Sequence, residues 1–170
     1  MFSKLITSTL LDGEVLDSST WIEGVVLRDG NRLFRTALAI TGSKAEAEDI
    51  VQDAFVRLFE KRPSFTSLEH ETAWLIRVTV NLSKNRLRSH WWRKTVPILD
   101  TYPASGVEET GLMQTVFSLP AKYRAVIHLF YYEGYSVKEI ADITQQRESA
   151  IRQQLSRARR MLKDYLEGEY

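Results

Sequence analysis

Apolar positions recur three and four residues apart along most of the chain, so it reads as nearly all helix. A first helix is predicted through WIEGVVLRDGNRLFRTALAIT, with Ser18 or Ser19 as its cap and Gly42 as its stop. Trp21, Val25, Leu33, Phe34, Ala37 and Leu38 supply its apolar stripe, and Gly24 and Gly30 weaken its first half. Ser43-Lys44-Ala45-Glu46 has the form of a capping box and opens a second helix. Its buried stripe is Ile50, Val51, Ala54, Phe55, Leu58 and Phe59. Residues 61–69, with Pro63, read as a loop. A third helix follows over about 71–92, with Trp74, Leu75, Ile76, Val78 and Leu82 facing inward.

Residues 95–110 lose the helical period and hold two prolines and a glycine, so they read as a linker. GLMQTVFSL is then a short helix, and Pro120 suits the first turn of the next, which runs to Gly134. Ser136-Val137-Lys138-Glu139 is a second capping box, opening a helix of about two turns. The last helix spans about 148–166. The predicted fold class is all-α: two small helical domains joined by a flexible linker, the C-terminal one a helix-turn-helix. The predicted divisions are 1–19 as an extension, 20–94 as the first domain, 95–111 as the linker and 112–170 as the second domain.

Composition narrows the chemistry. There is no cysteine, which excludes disulfides and thiolate-bound zinc, and His70, His90 and His128 are too scattered to suggest a metal site. No apolar run approaches the roughly 20 residues of a membrane span, and the N-terminus lacks the pattern of a signal peptide. No glycine-rich phosphate loop, nucleophile–base pair or metal cluster appears, so neither an enzyme nor a cofactor is expected.

Net charge is only +1, but its distribution is uneven. Arg77, Lys84, Arg86, Arg88, Arg93 and Lys94 form one basic stretch, and Arg147, Arg152, Arg157, Arg159, Arg160 and Lys163 a second. Between Lys44 and Glu60 acids dominate. Two basic patches suit a polyanion, and the acidic one suits a different partner. Each is also compatible with an ordinary solvated helix face.

In the C-terminal half, a short helix, a break and a longer basic helix is the layout of a helix-turn-helix. Ile140, Ala141 and Ile143 can lock against Ile151, Leu155 and Ala158. Arg147, Ser149, Arg152, Gln153, Ser156, Arg157 and Arg160 are left off the apolar stripe as candidate DNA contacts. Arg152 could read guanine and Gln153 adenine, with the later arginines on phosphates.

Leu119-Pro120, Arg124, Glu133-Gly134-Tyr135-Ser136, Glu139-Ile140-Ala141 and Leu155-Ser156-Arg157-Ala158-Arg159 together resemble the C-terminal domain of bacterial sigma factors, above all the extracytoplasmic-function (ECF) group. The resemblance implies binding to the −35 promoter element and packing on the flap of the polymerase β subunit. One stretch departs from the family. Where a Leu-Gly-Ile-Ser-like turn is usual, this chain has Thr144-Gln145-Gln146-Arg147, without the turn glycine, the apolar plug or the serine cap. The break at 144–147 is nonetheless expected to persist, and a continuous helix from Ser136 to Leu166 would speak against −35 reading.

Ala47-Glu48-Asp49-Ile50-Val51-Gln52-Asp53-Ala54-Phe55 resembles the most recognisable stretch of the same family. It implies docking of Asp49, Gln52 and Asp53 on the clamp helices of the β′ subunit. Ala73-Trp74-Leu75-Ile76-Arg77 and Asn81-Leu82 match the family's next helix, which implies contact of Arg77, Asn81, Lys84, Asn85 and Arg88 with the −10 element. The preceding loop, with Ser64, Phe65 and Thr66, would hold a flipped base. Trp74 is expected in the core.

The chain is thus read as a cytoplasmic sigma factor. Its expected partners are the RNA polymerase core, promoter DNA and, as the group implies, an anti-sigma factor, with no membrane insertion. A stand-alone helix-turn-helix regulator would leave the acidic Glu48–Asp53 face and the Arg77–Lys94 helix without a purpose. A sigma-like interaction protein with weakened −35 reading is kept open by the altered turn.

Overall fold

The computed structural model of the chain describes residues 13–92 and 111–168. Residues 95–110 of the predicted linker and the first twelve residues lie outside them. Among the described residues every regular element is helical: α1 Gly13–Thr41, α2 Lys44–Lys61, α3 Leu68–Trp92, α4 Gly111–Ser118, α5 Ala121–Ile127, a π-helical turn His128–Tyr132, α6 Val137–Thr144 and α7 Glu148–Leu166.

Helix α1 begins earlier than its serines suggested. Ser18 and Ser19 lie inside it rather than capping it, because extending an existing helix is easier than starting one and outweighs a local capping preference. Gly42, at φ +73°, ends it as expected. Ser43 caps α2 by accepting the Glu46 N–H at 3.3 Å, but the capping box is only half formed. The Glu46 carboxylate is taken by Arg86 of α3 at 3.1 Å, and the Ser43 N–H turns to the Thr41 hydroxyl. At Ser136 both halves of the box are present: the hydroxyl accepts from the Glu139 N–H and the Glu139 carboxylate accepts from the Ser136 N–H at 2.8 Å.

The α2 stripe is buried at Ile50, Val51, Ala54, Phe55 and Leu58, and Ala47 joins it. Phe59 does not. It is 49% exposed, with the Arg62 guanidinium 5.1 Å from its ring centre, because the residue that closes the stripe is Leu58. On α3, Leu75, Ile76, Val80 and Leu82 are buried, while Trp74 and Val78 are half-buried against the core.

Helices α1, α2 and α3 pack on one another, and α5 and α6 pack on α7. The two groups also meet. Helix α1 packs on α5, and α3 on α6, so that one buried cluster runs from Val25, Leu33 and Ile40 through Leu75 to Leu129, Ile140 and Ile151. Polar bonds close the same seam. Arg124 of α5 donates through Nη2 to the Ile40 carbonyl at 2.6 Å and through Nη1 to the Phe117 carbonyl at 2.9 Å. The first of these carbonyls belongs to the last turn of α1, which has no partner within its own helix. Burial holds the Arg124 guanidinium below the usual arginine range.

Glu133 sits at the other end of the seam with its side chain only 2% exposed. It pairs with Arg32 of α1 at 2.8 Å, with Arg35 at 3.7 Å and with His128 at 3.2 Å. His128 also reaches the Thr36 hydroxyl of α1 at 3.3 Å. The π-helical turn, in which the Glu133 N–H bonds back to the His128 carbonyl at 3.1 Å, is what brings Glu133 to this place.

Candidate nucleic-acid interface

The break between α6 and α7 persists. Gln145 takes the place of the family glycine and adopts the left-handed conformation, φ 55° and ψ 44°, with its N–H bonded to the Ala141 carbonyl. That conformation crowds a Cβ and costs a residue of this kind about 1 kcal/mol. The missing apolar plug is replaced by an amide pair: half-buried Gln146 accepts a hydrogen bond from Gln154 of α7. Arg147 stands at the N-cap with extended backbone and no side-chain cap bond. Glu148 in the first turn offsets the loss by complementing the helix dipole and by pairing with Arg152 at 2.7 Å.

Ile151, Leu155 and Ala158 are buried, which fixes how α7 is rolled. Arg147, Ser149, Arg152, Gln153, Ser156, Arg157 and Arg160 are all exposed as a consequence. The remaining arginine, Arg159, turns back onto its own domain. It donates to the Tyr131 hydroxyl at 2.7 Å and lies over the Phe130 and Tyr131 rings.

On α2, Asp49 and Asp53 are exposed and Gln52 is half-buried, one helical turn apart on the outer face. Arg86 of α3 approaches Asp53 at 3.7 Å, leaving 55% of that carboxylate side chain exposed. Val56 and Phe59, at 44% and 49% exposure, continue the same face toward the end of the helix. Periodicity assigned Phe59 to the core. The exposed apolar pair is therefore a surface feature that the sequence pattern concealed.

The −10 candidates fall into two groups. Asn81, Lys84, Asn85 and Arg88 run along α3, and Arg88 donates to the Asn85 side chain at 2.7 Å. Burial, followed by the nearby Arg88 charge, holds the Lys84 ammonium below the usual lysine range. Arg77 stands apart from them, since its Nη2 is engaged by the Asp142 carbonyl of α6 at 3.0 Å.

The second group is the loop before α3. Phe65 and Thr66 border a cleft of about 670 Å³, within the usual range for a small-ligand pocket. Ser64 is exposed beside them but is not part of its lining. Phe65 is held edge-on against His70, at 5.5 Å between ring centres, and against Trp74 at 5.9 Å. Thr66 bonds the His70 ring through its hydroxyl at 3.2 Å. The far wall was not foreseen: Thr20, Trp21, Gly24 and Arg28 of α1 and Glu71 of α3 complete the cleft.

The Sigma-70 region 2 family matches residues 25–93, and Sigma-70, region 4 matches residues 111–162. The ECF RNA polymerase sigma factor SigL of Mycobacterium tuberculosis is 30% identical over 142 residues, covering 77% of this chain and 80% of the relative. The chain belongs to the ECF sigma factors. Another relative, the ECF sigma factor SigE of Mycolicibacterium smegmatis, is 26% identical over 167 residues and 91% of this chain. The chain spans 64% of that relative's length, just under two thirds. The sigma factor RpoE from Bartonella quintana, solved in complex with the anti-sigma factor NepR, shares the fold at a TM-score of 0.73. The two are 23% identical, over 85% of this sigma factor and 96% of that chain.

In this sigma factor, the region 2 match thus covers α1 from Val25 onward, α2 and α3, with the acidic face and part of the cleft, and the region 4 match covers the helix-turn-helix. Membership also agrees with the expectation that the chain is not an enzyme. Among the described residues no helix is long and apolar enough to cross a membrane, and no group of histidine and carboxylate side chains is placed to hold a metal.

Proposed function

We propose that this sigma factor acts in the cytoplasm, where it directs the RNA polymerase core to specific promoters and lets it initiate there. The observation that carries the reading is the order of two matched regions, 25–93 and 111–162, with an acidic docking face in the first and an exposed basic recognition face in the second.

In this reading Asp49, Gln52 and Asp53 dock on the clamp helices of β′, where an acidic, hydrogen-bonding surface suits a basic protein partner. Val56 and Phe59 add apolar area beside them. The loop at Ser64, Phe65 and Thr66 takes an unstacked base of the melted −10 element, and Arg77, Asn81, Lys84, Asn85 and Arg88 follow the strand. Helix α7 enters the major groove at −35. Arg147, Ser149, Arg152 and Gln153 at its start lie toward base edges, and Ser156, Arg157 and Arg160 toward phosphates. The α4–α7 domain also packs on the β flap. An anti-sigma factor is a further expected partner, by analogy with the Bartonella protein and its bound NepR.

Arg77 is held against region 4 by its bond to Asp142, so in this reading the two regions separate before it follows the strand. The test is transcription in vitro with purified core polymerase on genomic promoter fragments. Specific initiation is expected. Core binding without initiation would favour a sigma-like interaction protein, and DNA binding without core binding a stand-alone regulator.

A further inference from the structure

The loop cleft has a charged wall that its loop does not supply. Arg28 lines it from α1, with 34% of its side chain exposed. Two carboxylates that are almost wholly buried hold this guanidinium: Asp29, 1% exposed, and Glu71, 4% exposed. Arg28 donates to Asp29 Oδ2 through Nε at 3.0 Å and through Nη2 at 2.7 Å, and Nη2 also reaches Glu71 Oε2. The carboxylates are themselves fixed. Trp21 donates its indole N–H to Glu71 Oε1 at 3.1 Å, and Thr72 donates to Asp29 Oδ1 at 3.0 Å. A planar fork gripped at Nε and Nη2 has little freedom left. Among the described residues none of these bonds uses Nη1, which carries two of the five N–H donors.

The charge of this cluster decides what it can take. One cation stands between two anions, so the wall is net negative and does not suit a phosphate. It suits a neutral ring that offers an acceptor to the spare donors. Phe65, which also lines the cleft and is braced by His70 and Trp74, offers such a ring an aromatic surface.

We propose that Arg28 is a specificity-determining residue of the −10 cleft, its Nη1 group donating to a carbonyl oxygen of the flipped base. The inference rests on the reading of this cleft as a base pocket and adds which base it takes. Cytosine, thymine and guanine carry a carbonyl oxygen. Adenine has none; its ring nitrogens N1 and N7 accept hydrogen bonds, but each stands beside an amino group that is itself a donor, so adenine answers the arm less well. Asp29 and Glu71 are positioning residues that aim the arm.

The experiment selects bound sequences from a randomised single-stranded DNA pool, using core polymerase loaded with the full chain. Wild type and Arg28→Lys are compared, and Arg28→Ala is run beside them with thermal melting of each free protein. Lysine keeps a positive charge between the two carboxylates but has no second arm beyond them. Wild type is expected to reject adenine at one position of the enriched sequence by about tenfold. Arg28→Lys should lose that rejection there and keep the preferences at other positions. Adenine rejection that survives unchanged in a folded Arg28→Lys protein overturns the role of Arg28 while leaving the base pocket intact. A wild-type complex that enriches no sequence at all overturns the pocket reading and this inference with it.

Discussion

Arg77 of α3 and Asp142 of α6 are joined by a 3.0 Å hydrogen bond from a guanidinium arm to a main-chain carbonyl, across 65 residues of sequence. A residue proposed to follow the −10 strand therefore meets region 4 in this structure. The bond belongs to a seam that also holds Arg124 on Ile40 and Glu133 on Arg32. In the proposed function, this seam opens before the −10 strand is held.

The absence of cysteine makes that step measurable. Dyes on Ser89→Cys and Ser149→Cys, both exposed, should show efficient energy transfer in the free protein. Transfer should fall when core polymerase is added. If it stays constant through core binding, the two regions do not part.

Glu133 should make the folded protein acid-sensitive. Burial alone would raise its pKa. The hydrogen bond and charge of His128, with Arg32 and Arg35, outweigh burial and hold the carboxyl below the usual carboxylate range. Its stabilisation is therefore complete above the unfolded value of about 4.3 and is lost as pH falls through the lower folded value. Glu133→Gln should cost about 2 kcal/mol at pH 7 and flatten the decline of stability in acid. Urea titrations of both proteins across the acid range would show it, and parallel pH profiles would contradict it.

The turn between α6 and α7 carries removable strain. Gln145→Gly should raise stability by about 0.5–1 kcal/mol, since the backbone there sits at φ 55°. Arg147→Ser should add about 1 kcal/mol by restoring an N-cap acceptor. The second change removes a candidate DNA contact, so it should also weaken −35 binding. Chemical denaturation and a duplex titration on one protein would thus move in opposite directions. A loss of stability in Arg147→Ser would refute the capping argument.

Asp53→Arg should weaken binding to the polymerase core by about tenfold or more, because it reverses a charge at the centre of the acidic face. It also places like charge beside Arg86, now 3.7 Å away, so its melting temperature is to be measured alongside. Binding of the same protein to −35 duplex should not change. Unaltered core affinity would remove Asp53 from the docking surface.

Much of this architecture could be read from the residues because the deciding signals are local. Ser136 and Glu139 cap their helix as written, and Ile151, Leu155 and Ala158 fix the roll of α7. The exposed recognition face follows from that roll alone. What the pattern missed depends on partners far away in sequence. Glu46 left its capping box for Arg86, and Phe59 lay one position past the last buried residue of its stripe. Arg28, Asp29 and Glu71 gave no periodic signal, since a buried ion cluster spanning 43 residues looks like ordinary surface charge until the helices meet. Gln146 looked like a lost plug because its compensating partner, Gln154, lies a further two turns along.

The π-helical turn at His128–Tyr132 sets an angular phase. It inserts one residue beyond the α-helical repeat, and each residue of an α-helix turns the chain by about 100°. Deleting a single residue within it would let the helix wind on regularly and swing every later side chain by that angle. Glu133 would then face away from Arg32, and α6 would leave α3, although no contact residue had been changed. Insertions and deletions at this point are therefore coupled to the relative orientation of regions 2 and 4.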